Sequence, residues 1–351
     1  MLLNHIDVVP ADAKQWVVPP FEGRMSRSLL FGRGTLDMKG PAVCELLAFL
    51  DVAQSGRQPE HDLVFLAVAD EEAGGRLGMQ WLLAHRPDLF QGLRYVLNEG
   101  GSSEMVEEKL NYIGIEIGSK ILITAHLRAP RREQLQQARI ALEPYFDSDQ
   151  PDRVLPEVRR YLAELSPRRV ENAGLLGDVD RTIAAGKFWL VPRPLRELTQ
   201  NSVWPEGVRA EGDGYTMPVT LFNLPDETPA ARIEWLRRTV APFGVSVGDV
   251  EGALGPVPFS SVDTPLFGIL RTELQREYGP VPVGTNILPW ASTDCRFLRP
   301  RGFQCYGLWP FPVDVFQTKG IHRADEMIHL DWFVQGIRTM RNIVRSWAYG
   351  K

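Results

Sequence analysis

The chain has 351 residues, 44% of them hydrophobic and 24% charged, which excludes disordered and fibrous classes and leaves room for about two domains with sizeable cores. Its 39 basic and 44 acidic residues give a formal charge of −5, so there is no broad cationic field for a phosphate backbone and nucleic acid is not expected as a partner. The longest apolar stretches, such as residues 63–69, fall far short of the roughly 20 residues needed to cross a bilayer, and no membrane partner is expected. Cys44, Cys295 and Cys305 form an odd set without a Cys-x-x-Cys pair, which predicts reduced, mostly buried thiols in a cytoplasmic protein.

In chain order, residues 1–10 read as the second half of a buried strand, which as a parallel strand needs neighbours on both sides. After the Gly32-x-Gly34 turn, apolar residues at Val43, Leu46, Leu47 and Leu50 predict a helix over residues 39–55. A strand over 61–69 leads into Asp70-Glu71-Glu72, a helix over 78–85 stops at Arg86-Pro87, and a strand over 93–98 ends at Glu99-Gly100-Gly101. This is the α/β pattern of a largely parallel open sheet with helices on both faces.

From about Lys120 the texture changes to an alternating strand (121–127), a helix (131–145) and a polar stretch containing Pro and Arg (147–209). A strand (217–222), a helix (230–240) and a short strand (245–247) follow, and together they predict a ferredoxin-like α+β insertion. After Gly255 a helix (265–277), a strand (304–307) and a final amphipathic helix (331–347) return to the α/β texture. The expected organisation is one domain from residues 1–118 and 255–351, interrupted by a second over 119–254.

Metal-binding side chains fall at the predicted C-terminal ends of strands or just after them: His5, Asp7, Asp37, Glu71, Glu72, Glu99 and, much later, His322. Open α/β sheets bind ligands at that edge. Three carboxylates and two imidazoles suit a pair of divalent ions such as Zn²⁺, Mn²⁺ or Co²⁺. The charges balance, because two dications are matched by three carboxylates and one bridging hydroxide. An isolated Glu-Glu pair is more often a solvated loop, and His61, His85 and His329 read as structural. Gly32-x-Gly34 lacks the third glycine of a dinucleotide fingerprint, and no Gly-x-Ser-x-Gly elbow accompanies Ser102 and Ser103.

At these residues the sequence resembles the two-metal amidohydrolases and exopeptidases that include aminoacylase, acetylornithine deacetylase, succinyl-diaminopimelate desuccinylase and glutamate carboxypeptidase. Asn4-His5-Ile6-Asp7-Val8-Val9-Pro10 is similar to the family's first metal motif and Gly32-Arg33-Gly34-Thr35-Leu36-Asp37-Met38-Lys39-Gly40 to its second. Asp70-Glu71-Glu72-Ala73-Gly74-Gly75, Asn98-Glu99-Gly100-Gly101 and Ile321-His322-Arg323-Ala324-Asp325-Glu326 match the later motifs in family order. Ser292-Thr293-Asp294-Cys295-Arg296-Phe297-Leu298-Arg299 most resembles the aminoacylase and carboxypeptidase S branch.

The resemblance implies that Asp37 bridges two ions, with His5 and Glu99 on one and Glu72 and His322 on the other. Asp7 would fix the His5 tautomer. Glu71 would be the general base, taking a proton from water and passing it to the leaving amine. Zinc is the first expectation, with cobalt or manganese as alternatives. A cis peptide is expected at Asp37-Met38, and a homodimer through the inserted lid.

Three departures from the family pattern stand out. Full-length members carry helices and a strand before the first His motif, so the chain is expected to begin internally, with a sheet short of an edge element and an exposed apolar surface. The lid's Gly-His-x-Ser-type loop is replaced by Thr124-Ala125-His126-Leu127-Arg128-Ala129-Pro130, where His126 is the histidine at hand for an oxyanion role. Asn223 stands where an Arg for the substrate carboxylate is expected, and Thr293 and Asn201 are the remaining candidate substrate contacts. The expected function is hydrolysis of an amide bond in an N-acyl amino acid or small peptide. The alternatives are a catalytically impaired metal-binding homologue, or a dipeptidase or carboxypeptidase of the same family.

Overall fold

The structure, a computed structural model, describes residues 1–106, 109–143, 152–169, 172–252, 255–313 and 320–350. It divides into one unit of Met1–Ile117, Ser260–Asn286 and Thr293–Lys351, and another of Gly118–Phe259 and Ile287–Ser292. No helix among the described residues is long and apolar enough to cross a membrane.

The first unit is built on a seven-stranded sheet. Strands β1 (Leu2–His5), β4 (Phe65–Val68), β5 (Tyr95–Asn98) and β14 (Gln304–Gly307) run parallel, with β1 between β5 and β4 and β14 beyond β5. All four residues of β1 are buried, as a strand covered on both faces requires. Beyond β14 lies β7 (Lys109–Ser119), antiparallel to it, flanked by β6 (Ser102–Val106) and β13 (Val283–Leu288). The sheet is therefore mixed, not largely parallel. The connection between β6 and β7 is too short for the crossover that a parallel pair needs, so they run antiparallel.

Helix α1 (Lys39–Ala53) follows the second motif as the sequence predicts, but it presents a different face to the core. Gly40, Cys44, Ala48 and Val52 are buried, whereas Val43, Leu46, Leu47 and Leu50 are 37–40% exposed. At Gly40 the chain approaches so closely that a Cβ would sit 2.2 Å from the Thr35 main-chain oxygen. Alternation along β1 sends Asn4 toward α1, where it donates to Glu45 at 3.1 Å. Leu3 faces the other way, into a core of Val68, Met79, Val96, Phe297 and Leu298, with Met79 opening helix α2 (Met79–His85).

A separate three-stranded sheet has β3 (Leu29–Phe31) between β2 (Arg24–Ser26) and β15 (Met327–His329). The pairing Met327↔Phe31 brings the segment after His322 alongside the segment that leads to Asp37.

In the second unit, β8 (Ile121–Ala129) and β11 (Gly214–Asn223) pair antiparallel over nine residues. With β10 (Arg209–Glu211) and β12 (Ser246–Gly252) the order is β10-β11-β8-β12, that of a ferredoxin-like unit, and β9 (Ser202–Pro205) also pairs with β11. Inward residues Ile123, Ala125, Leu127, Val219 and Leu221 pack against Leu135 and Ala138 of α3 (Arg132–Leu142) and Leu236 of the helix Pro229–Val240. The stretch 147–209, read from sequence only as polar, contains α4 (Pro156–Leu165), two further short helices (Ala173–Leu176, Val179–Ala184), a turn of helix at Arg193–Arg196, β9 and the start of β10. Its core positions Val158, Tyr161, Leu162 and Leu165 do follow helical spacing, diluted by the arginines and glutamates between them. Tyr145, placed by sequence at the end of α3, lies outside the described residues.

Candidate metal centre

Parallel register creates the site. Leu2 lies opposite both Phe65 and Leu97, and His5 opposite Val68, so β1 and β4 end together, β5 ends close by, and His5, the Glu71-Glu72 loop and Glu99 emerge at one edge. The turn after β4 needs positive φ at Asp70 (70°), a conformation Asp tolerates better than most residues.

The His5 ring is buried. Its Nδ1 lies 3.0 Å from the Asp7 main-chain oxygen and 3.5 Å from Asp7 Oδ1. Its Nε2 lies 3.1 Å from Asp37 Oδ1 and 3.4 Å from Glu99 Oε1. On the other side His322 Nε2 lies 2.9 Å from Asp37 Oδ2 and 3.0 Å from Glu72 Oε2. Asp37 thus turns one oxygen to each imidazole. Asp7 Oδ2 accepts from the Glu72 backbone N–H at 3.1 Å, tying the first and third motifs together. The peptide bond Asp37-Met38 is cis.

Electrostatics follow from this convergence. Burial opposes a charge on His5, but hydrogen bonds to Asp37 and Glu99 outweigh it and push the imidazole up to about 12. Hydrogen bonds to Asp37 and Glu72 lift His322 to about 10. Burial would raise Asp37, yet the two imidazoles hold it well below the usual carboxylate range. Glu99 is driven well above that range by burial and then by the Asp37 charge. The cluster favours positive charge at its centre.

Its donor set suits divalent cations. His5, Glu71 and Glu99, and likewise His5, Asp37 and Glu72, each offer atoms within 4.8 Å of one another. Asp7 Oδ1 and Glu72 Oε1 are buried and have no hydrogen-bond partner among the described residues. Carboxylate oxygens and imidazole nitrogens together match ions such as Zn²⁺, Mn²⁺ and Co²⁺.

Two features of the site escaped the sequence reading. Arg296 Nη1 donates to Glu71 Oε1 at 2.5 Å, and its Nη2 to the Glu71 main-chain oxygen at 3.4 Å. Asp294, buried beside them, is pushed up to about 8 by burial and then by the Glu71 charge. Glu326 accepts hydrogen bonds from the segment that carries Asp37. Both Arg296 and Glu326 stand inside recognised motifs, but nothing local says what they touch. Of the candidate substrate contacts, Thr293 belongs to the same unit as the cluster, buried, with its hydroxyl accepting from Cys295 N–H at 3.4 Å. His126 and Asn201 belong to the second unit. There His126 lies within β8 opposite Pro218, and Asn201 accepts from Leu224 N–H at 2.8 Å. Asn223 accepts from Arg232 Nε at 2.9 Å.

His5 and Glu99 at the end of the parallel strands, with Asp37 between them and the His322-Glu72 pair, form a donor set of the kind metal-dependent hydrolases use, and known proteins agree. The chain belongs to peptidase family M20/M25/M40, whose family model matches residues 1–346. It is a metal-dependent hydrolase of amide bonds by class. The probable carboxypeptidase S-like 2 of Dictyostelium discoideum is 23% identical over 376 residues, covering 99% of this chain and 71% of that protein. The N-fatty-acyl-amino acid synthase/hydrolase PM20D1 of Mus musculus is 34% identical over 389 residues, covering 99% and 73%. The crystal structure of an M20 family metallo-carboxypeptidase from Sulfolobus solfataricus superimposes with a TM-score of 0.70 at 16% identity, covering 99% of this chain and 84% of that one.

Proposed function

We propose that this chain hydrolyses the amide bond of an N-acyl amino acid or small peptide, using two divalent ions and Glu71 as general base. The observation that carries the reading is the Asp37 carboxylate set between His5 and His322, with Glu99 on the first side and Glu72 on the second. His5, Asp37 and Glu99 would hold one ion, and Asp37, Glu72 and His322 the other, zinc being the proposed metal. Bound there, the ions would supply Lewis-acid polarisation of the scissile carbonyl and a lowered pKa for water.

Glu71 falls within donor distance of His5 and Glu99, but Arg296 occupies its Oε1, and this supports a base over a fourth carboxylate ligand. Oε2 is then the atom that takes the proton from water and returns it to the leaving nitrogen. Asp7 would hold His5 through its Nδ1, fixing which ring nitrogen faces the centre. Thr293 is the proposed substrate contact on this unit. The second unit is proposed as the lid and as the dimerisation element, carrying His126 and Asn201 as candidate contacts.

A second reading, a metal-binding homologue of impaired turnover, is favoured by two facts within the second unit. His126 sits in a regular strand instead of a loop, and Asn223 is engaged by Arg232. One experiment separates the two: metal content by elemental analysis, together with hydrolysis of a panel of N-acyl amino acids and dipeptides with added Zn²⁺, Mn²⁺ or Co²⁺. About two ions per chain with turnover supports the enzyme reading. Two ions without turnover on any member supports the impaired homologue, and absence of metal refutes both.

A further inference from the structure

We infer that Glu326 is a positioning residue that locks the two ligand segments of the metal centre to each other, a role that rests on the assignment of Asp37 and His322 as ligands. Its carboxylate is buried and fully engaged. Oε1 accepts from the backbone N–H groups of Leu36 at 2.7 Å and Asp37 at 3.2 Å. Oε2 accepts from Gly34 N–H at 3.1 Å and from Arg33 Nη1 at 2.6 Å. The Glu326 main-chain oxygen accepts from Gly32 N–H at 2.9 Å. Residues 32–37 are therefore wrapped around one acidic residue that stands four positions after His322.

Chemistry explains why a carboxylate is required. Four donors converge on two oxygens, and only an acceptor-only group can take all four; an amide would aim its NH₂ at two of them. The same saturation leaves Glu326 no lone pair to serve as a ligand itself, in contrast to the unpartnered Glu72 Oε1. A buried carboxylate this close to Asp37 would repel it if left uncompensated, and Arg33 supplies the compensating charge. Arg33 is in turn buried, with its guanidinium 5.3 Å from the Trp16 ring centroid. Local backbone leaves little slack: Gly34 has φ +88°, and a Cβ there would lie 2.8 Å from Val8 Cγ1.

The functional consequence concerns Asp37. Its two oxygens face different imidazoles, and that orientation is inherited from the main chain at residues 36–37, which Glu326 holds. β15, starting at Met327, pairs with β3 and brings the His322 side of the clamp into register. Partners that orient ligands typically cost 10–100-fold in metal affinity when removed.

The test is Zn²⁺ binding to the metal-free chain, by competition with a chromophoric chelator, for the wild type, Glu326→Gln and Arg33→Gln. Thermal unfolding of the metal-free proteins is measured alongside. The expected result is a folded Glu326→Gln variant whose zinc affinity falls about 10–100-fold, with a smaller zinc-induced rise in Tm. Arg33→Gln, which removes one donor of the four, should show a smaller loss in the same direction and serves if Glu326→Gln does not fold. A lower metal-free Tm with unchanged zinc affinity would mean a purely structural role and overturn the inference. A wild type that binds no zinc would overturn the ligand assignment and the clamp together, whereas a wild type that binds two ions beside an unaffected variant overturns the clamp alone.

Discussion

Arg296 grips Glu71 by both its carboxylate and its main-chain oxygen, at 2.5 and 3.4 Å, across 225 residues of sequence. Burial raises the Glu71 carboxyl and the guanidinium works against that rise, so the pair sets both where the proposed base points and how readily it is ionised. Glu71→Ala should leave two ions in place and lower turnover by about 10²–10⁴, the usual worth of a general base. Elemental analysis and steady-state rates check this, and a fully active variant would remove Glu71 from the mechanism.

Arg296→Lys keeps a cation but loses the fork that reaches two atoms of Glu71. Loss of a hydrogen bond to a charged group is worth about 1.5–3 kcal/mol, which predicts a kcat lowered about 10–100-fold with KM and metal content little changed. A rise in KM at constant kcat would instead make Arg296 a substrate-binding residue.

Asp37 faces both imidazoles, so Asp37→Ala should lose both ions where loss of an outer ligand such as Glu99 or Glu72 should weaken one. Two tightly bound metals in Asp37→Ala would refute the bridging assignment. In the wild type, chelation should abolish hydrolysis and lower Tm, and added zinc should restore both; at a hundredfold excess over Kd a ligand stabilises by about 2.7 kcal/mol.

Arg299 and Glu116 form a wholly buried pair at 2.7 and 2.9 Å, with Arg299 also donating to Ser260 Oγ and to the Cys305 oxygen. Burial pushes Glu116 up and Arg299 works to keep it charged. Arg299→Ala strands that carboxylate and should cost about 3–5 kcal/mol. Denaturant midpoints measure it, and a loss below about 1 kcal/mol would show that Glu116 finds another partner.

Lys120 is buried, with its Nζ donating to the Glu197 oxygen at 2.9 Å and to Ser202 Oγ at 3.0 Å. Burial pulls its ammonium down to about 8 despite the Glu197 charge, while Arg232 pulls the same way. The unfolded chain, with lysine near about 10.4, binds more protons between those values, so this residue makes stability rise with pH from about 8 to about 10.4. Lys120→Met should flatten that part of the stability profile relative to the wild type. Identical slopes would place the Lys120 pKa at its ordinary value.

Much of the architecture is legible from local pattern. Strand, helix and motif follow one another at positions close to those observed, because β1 opens on Leu2-Leu3, β5 carries Tyr95-Val96-Leu97, and α3 and the C-terminal helix Leu330–Tyr349 carry helical periodicity. Hydrophobicity misled at α1, where Gly40, Cys44, Glu45 and Ala48 are buried and the larger Leu46 and Leu50 are left outside. It also missed α4, whose apolar positions are spaced by charged ones, and the antiparallel β6 and β7, whose direction depends on a short connection.

The sequence by itself determined many of the element types, the order of the metal motifs and the residue types a two-metal hydrolase needs, since each of these is written in a run of a few neighbouring residues. Only the tertiary structure decided that Asp37 offers one oxygen to His5 and the other to His322, that Arg296 holds Glu71, and that Glu326 binds four donors of the Asp37 segment. Those pairings join residues from 32 to 293 positions apart. Strand register, the turns that follow the strands and the loops that return to them set these pairings, and none of these is encoded in composition or local periodicity.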